Sequence, residues 1–111
     1  MKVMKILCLD DSELMEFNSI NKGYRGDIYV KLNDSYYNLN FYDIVRLKQD
    51  FEKEIEDYGI FSPDPNIVIV KDVNKNEIKE SIENLKRKKY FDEIKPLSDK
   101  DIRDLNFLSF S

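Results

Sequence analysis

Two adjacent aspartates close the first apolar run of the chain, "KILCLDDSEL" at 5–14, and no other residues suggest chemistry so strongly by type and spacing. Carboxylates at the C-terminal end of a central strand can hold Mg²⁺, a hard cation that takes oxygen ligands, and so assist phosphoryl transfer. Other chemistry has little to work with. There is no His for a catalytic triad, and Cys8 lies inside the apolar run with no basic neighbour in sequence, the setting of a buried, inert thiol. One Cys without His excludes zinc sites of the usual type. Gly23, Gly26 and Gly59, the only glycines, form no phosphate loop. The chain therefore reads as a non-enzyme, with no catalytic, cofactor-binding or metal-binding residue assigned.

The elements that must position these residues follow from periodicity. A first strand is expected over 3–9, where Ile6 to Leu9 form an unbroken run suited to a central strand. Residues 13–22 fit either a strand or a helical turn. "DIYVKLNDSYYNLNF" (27–41) reads as a hairpin with a tight Asn33–Asp34 turn. A two-residue turn pairs Leu32 with Ser35, Val30 with Tyr37 and Ile28 with Leu39 on one face. Lys31 then opposes Tyr36, and Tyr29 opposes Asn38, on the other. Turn and alternation give the same register. A helix over 43–58 follows, with Ile44, Leu47, Phe51, Ile55 and Tyr58 as a stripe wide enough to dock on a sheet. Asp43 starts it and Gly59 ends it.

After "SPDP", Asn66–Val70 is expected as a second buried strand. Asn74 with Glu77 starts another helix with Ile78, Ile82 and Leu85 inside. Ser98 with Asp101 could open one more short helix before the tail "NFLSF". The fold class expected is α+β, one domain over 1–111: a mainly antiparallel sheet of four to five strands with two main helices packed on it. "LDDSEL" and Lys95–Pro96 resemble the first and last elements of phosphate-accepting receiver domains, which implies an acceptor Asp, a hydroxyl residue and a lysine beside the acidic pair. The region of the acceptor, however, is the helix around "FEKEIEDYG", and two long helices are readable where that fold has five. A degenerate receiver-like domain is thus only a remote alternative.

The net charge of −4 disfavours generic binding to nucleic acid and suits a basic protein partner. "KRKK" at 86–89 complements the C-terminal dipole of its helix. A single Cys fits a reducing compartment, and no apolar run suits a signal peptide or a membrane span, so a cytoplasmic location without membrane association is expected. The densest acidic run is "DFEKEIED" (50–57). Asp50, Glu52, Glu54, Glu56 and Asp57 flank or oppose the apolar stripe, mixed with Arg46 and Lys53, which lie four residues before Asp50 and Asp57. Either a solvated face or a docking surface would look like this. Tyr29 and Tyr36 face away from the hairpin's apolar side, and tyrosine is favoured at interfaces.

Over residues 27–97 the chain resembles the immunity proteins of bacterial polymorphic toxins, including those of contact-dependent growth inhibition systems. The resemblance rests on layout. A Tyr/Asn-rich hairpin precedes the acidic amphipathic helix "YDIVRLKQDFEKEIEDYG", and a Pro-flanked strand leads into a capped helix in "PDPNIVIVKDVNKNEIKESIENL". It implies a cytoplasmic, non-catalytic protein that binds one cognate toxin domain, often a basic nuclease, in a 1:1 complex. The candidate contacts are Tyr29, Tyr36, Asp50, Glu52, Glu54, Glu56 and Asp57. An intracellular adaptor or regulatory subunit of a larger assembly is the alternative, and the neighbouring gene would separate the two.

Overall fold

The structure, a computed structural model, describes residues 4–110. Strand β1 (Met4–Cys8) leads into helix α1 (Glu13–Lys22), followed by β2 (Tyr24–Leu32), β3 (Ser35–Tyr42) and α2 (Ile44–Tyr58). Then come β4 (Ile67–Ile69), α3 (Lys75–Arg87), a 3-10 turn (Tyr90–Asp92), α4 (Asp99–Ile102) and β5 (Leu108–Ser109). The sheet order is β4-β3-β2-β1-β5. Only the β3–β4 pairing is parallel, so the class is α+β with a mainly antiparallel five-stranded sheet, as expected. Val3, the start of the expected first strand, lies outside the described residues.

The hairpin has the expected register, with Leu32 opposite Ser35, Val30 opposite Tyr37 and Ile28 opposite Leu39. Asn33, at φ 57°, turns the corner, in a left-handed conformation that Asn tolerates better than most residues. The ambiguous 13–22 segment is a helix. Ser12 caps it by accepting from Met15 N, and Gly23 at φ 68° ends it. The Gly23 carbonyl accepts from Asp43 N, and the Asp43 side chain fills the place a Cβ on residue 23 would need. A glycine is therefore required where α1 ends against the start of α2.

One face of the sheet carries the core. Cys8, Ile28, Val30, Leu39 and Phe41 are fully buried beneath Ile78 and Ile82 of α3, with Val73, Phe91 and Phe110 closing the edges. At roughly 25 cal/mol per Å² of apolar surface, these side chains are the main source of stability. Asn74 caps α3 by accepting from Glu77 N, and Ser98 with Asp101 forms a complete capping box on α4. β5 adds a strand that the tail's sequence does not announce, pairing Cys8 with Leu108.

The opposite face is polar and aromatic. Asn38 Nδ2 donates to the Gly26 and Ile28 carbonyls, Asn40 Nδ2 to Pro65 O, and Asn66 Nδ2 to Asn38 O. The hairpin's asparagines thus pin the β2 bulge and the loop before β4. The 95–107 segment crosses the same face, with Leu97 N donating to Tyr36 O and Phe107 packed on Tyr29 and Tyr36.

The exception to the expected layout is the stripe of α2. The helix crosses from β3 to the parallel strand β4, a connection that ordinarily lays its helix on the sheet. Here none of the residues of α2 is buried, and Arg46, Leu47, Asp50 and Glu54 are its half-buried ones. The core face is already covered by α3, and the other face, with Lys31, Tyr36, Asn38 and Asn40, is too polar to receive an Ile/Leu/Phe stripe. The helix therefore lies as an arm with most of its stripe uncovered, tied to the body at its first turn. Arg46 Nη1 donates to Lys22 O, and its guanidinium lies 5.8 Å from the Tyr24 ring centroid. Among the described residues no helix is long and apolar enough to cross a membrane.

Candidate functional site

The aspartates at the exit of β1 are absorbed into an ion network. Asp27 lies in the β2 bulge, and its Oδ2 accepts from Leu9 N and Asp10 N, both at 3.1 Å. The same bulge turns Arg25 inward, where it is 1% exposed, stacked on Phe110 at 4.8 Å. Arg25 Nε donates to Asp27 Oδ1 at 2.8 Å and Nη2 to the Asp10 carbonyl at 2.6 Å; Nη1 lies 3.7 Å from Glu16 Oε1. Glu16 Oε2 accepts from Lys75 N, and Lys75 Nζ donates to Asp11 Oδ1 at 2.7 Å. The carboxylate of Asp10 accepts from Ser12 N, and the hydrogen bonds from Ser12 hold it below the usual aspartate range.

Both aspartates of the motif have structural partners, and the lysine paired to Asp11 is Lys75. Lys95 and Pro96 instead line an open cleft of about 600 Å³ with Pro65, Asn66 and Leu97. No group of three or more His, Cys, Asp or Glu side chains is placed to hold a metal ion among the described residues. Burial, with Asp11 and Asp27 adding, pushes the Cys8 thiol up, away from the thiolate a nucleophile needs.

Tyr29 and Tyr36 are only half open. Phe107 meets Tyr29 edge-on at 5.0 Å and stacks on Tyr36 at 5.3 Å, and burial raises the Tyr29 phenol's pKa. Tyr36 also lies six residues before the end of β3 from which α2 departs, roughly 20 Å at 3.3 Å per residue. Phe107, not a residue of α2, is the ring that packs on both tyrosines.

The five acids do share α2, and the structure shows what they frame. Of the stripe, Ile44, Phe51, Ile55 and Tyr58 are exposed and Leu47 is half-buried; Val45 and, just beyond the helix, Ile60 at 67% are open as well. Phe51 meets Phe61 edge-on at 5.5 Å, which shows that the chain leaving α2 folds back along it and covers part of the stripe. Arg46 pairs with Asp50 at 3.0 Å, and Lys48 approaches Glu52 at 4.0 Å. Glu54 and Asp57 make no ion pair among the described residues, so the expected Lys53–Asp57 pair is not formed. With Asp50, Lys53 and Tyr58 they line a hollow of about 280 Å³ beside the stripe.

No family model, curated protein or solved structure matches this chain.

The exposure of the apolar residues of α2 is what sequence reasoning does not show, because helical periodicity reads first as a core face. The available signal was the hairpin register, which left the sheet's second face polar. A smaller surface of the same kind lies on α1. Leu14, Phe17 and Ile20 point outward while Ser19 is buried and Glu16 faces Arg25. Contiguous exposed apolar surface of this kind marks interaction sites in folded proteins.

Proposed function

We propose that this chain is a non-catalytic protein-binding domain that neutralises a cognate protein toxin, with the α2 arm as its docking surface. The observation that carries the reading is the exposed stripe of α2, whose Phe51 and Ile55 keep 47% and 40% of their area open. Such a face costs free energy in water and is stabilised when a partner covers it. The exposed apolar residues of the arm would supply part of the roughly 800 Å² that a standard interface takes from each partner. Acidity supports a basic partner, because charge complementarity speeds encounter and opposes wrong partners. The layout resemblance to immunity proteins gives the partner's class.

Co-expression with the product of the adjacent gene tests the reading. The expected result is rescue from toxicity and a stable 1:1 complex, both lost in the Ile44→Glu/Ile55→Glu chain, which leaves the Phe51–Phe61 contact in place. Persistent toxicity at full expression of the unaltered chain would refute neutralisation. Unimpaired rescue by the double variant would remove α2 from the interface.

A further inference from the structure

Resting on the reading of α2 as a docking surface, we infer that its occupant is an amphipathic helix with lysine or arginine along one flank of its apolar face. The shape argument comes first. α2 has 15 residues, about 22 Å of helix, and past its first turn offers ridges of side chains over a backbone engaged in its own hydrogen bonds. A strand would gain no hydrogen bonds there, whereas a helix can set its own ridges into the spaces between Ile44, Phe51, Ile55 and Tyr58.

Charge then selects the flank. Asp50, Glu54 and Asp57 recur at spacings of four and three, so they lie along one side of the stripe, Asp50 and Glu54 half-buried and Asp57 exposed. Arg46 offsets Asp50, while Glu54 and Asp57 remain without ion partners among the described residues. The hollow they line ends on Tyr58, 76% exposed, whose ring adds a face for a cation. Lys53 weakens this field without cancelling it, since α2 carries Arg46, Lys48 and Lys53 against Asp50, Glu52, Glu54, Glu56 and Asp57, a net of −2.

The same pattern argues against a second copy as occupant. An antiparallel pairing about Phe51 would set Lys48 near Glu52 of the other copy on one flank. On the other flank it would crowd Asp50 and Glu54 of both copies, a like-charge contact that disfavours the dimer.

The test uses two synthetic 15-residue helical peptides with the same Leu/Ile stripe, one flanked by lysines and one by glutamates, matched in length to α2. Fluorescence anisotropy gives their affinities for the full chain at about 50 and about 200 mM salt. The lysine-flanked peptide is expected to bind more tightly, and to weaken with salt. Glu54→Gln/Asp57→Asn should weaken it by about fivefold and flatten the salt dependence. Ile44→Glu/Ile55→Glu should abolish binding although it adds negative charge, because the apolar contact is lost. Equal binding of both peptides, or indifference to Glu54→Gln/Asp57→Asn, overturns the cationic flank while leaving α2 as the docking surface. Indifference to Ile44→Glu/Ile55→Glu overturns the docking surface itself. A concentration-dependent dimer in sedimentation equilibrium, lost in that double variant, overturns the inferred occupant and assigns the face to a second copy.

Discussion

Helices α2 and α3 are written in the same pattern, apolar residues at spacings of three and four with charges between them, yet they end in opposite environments. Ile78 and Ile82 of α3 are fully buried against the sheet, while Ile44 and Tyr58 of α2 are 63% and 76% exposed. Each is capped by a side chain that accepts from the backbone three residues on, Asp43 for α2 and Asn74 for α3. The helices differ in what lies opposite them. α3 meets the Val/Ile/Leu/Phe face of the hairpin; α2 has only a face of Tyr, Asn and Lys within reach. Periodicity therefore specifies that a helix has an apolar side, and the register of the neighbouring strands decides whether the fold can cover it.

The largest expected contrast is between matched core deletions. Ile82→Ala should cost about 2–5 kcal/mol of unfolding free energy, read as a lower urea midpoint at unchanged slope. A loss as small as that of a surface substitution would mean that α3 is no more integral than α2. The joint between body and arm comes next. Tyr42 ends β3, and burial, with Asp64 adding, pushes its phenol up to about 12 from an ordinary value near 10. Its folded pKa is raised, so the protonated form is favoured by folding. That contribution is complete below pH 10 and is lost as pH rises toward 12, roughly 2 kcal/mol in all. Tyr42→Phe should lack this part of the alkaline loss; an identical alkaline profile in the variant would assign it elsewhere.

Asp43→Ala removes the carboxylate that accepts from Arg46 N at 2.8 Å, a cap worth about 1 kcal/mol. Because α2 is tied to the body at that end, amide exchange should quicken along α2 and stay unchanged in α3. Equal quickening in both helices would show that they unfold as one unit. The smallest effect is expected for Ile55→Ala, within about 0.5 kcal/mol of the parent, since little contact is lost and Ala favours helix.

The fold was legible where local and long-range signals agreed. The hairpin register, both long helices, their caps and the α+β class follow from turn chemistry and alternation around Asn33–Asp34, Asp43 and Asn74. α1 was ambiguous because its inward side is polar: Ser19 and Glu16 face the body, and the reason is Arg25, which a bulge in β2 turns inward. No local signal announces that bulge. β5 is two residues long, too short for a pattern, and is defined only by pairing with β1. The aspartates of "LDDSEL" looked like a site because their partners, Arg25 and Lys75, are distant in sequence. The acids of α2 are visible in the sequence as a candidate surface, but the apolar residues between them carry the same periodicity as a core face.

The central claim is that the stripe of α2 is surface in the protein by itself. Urea unfolding of the Ile44→Glu/Ile55→Glu chain tests it most directly. If the stripe is surface, the unfolding free energy stays within about 1 kcal/mol of the parent, because each glutamate stands in water. If the stripe belongs to the core, two buried unpaired carboxylates would cost well over about 4 kcal/mol and bring the chain near unfolding, and the account of α2 would be contradicted.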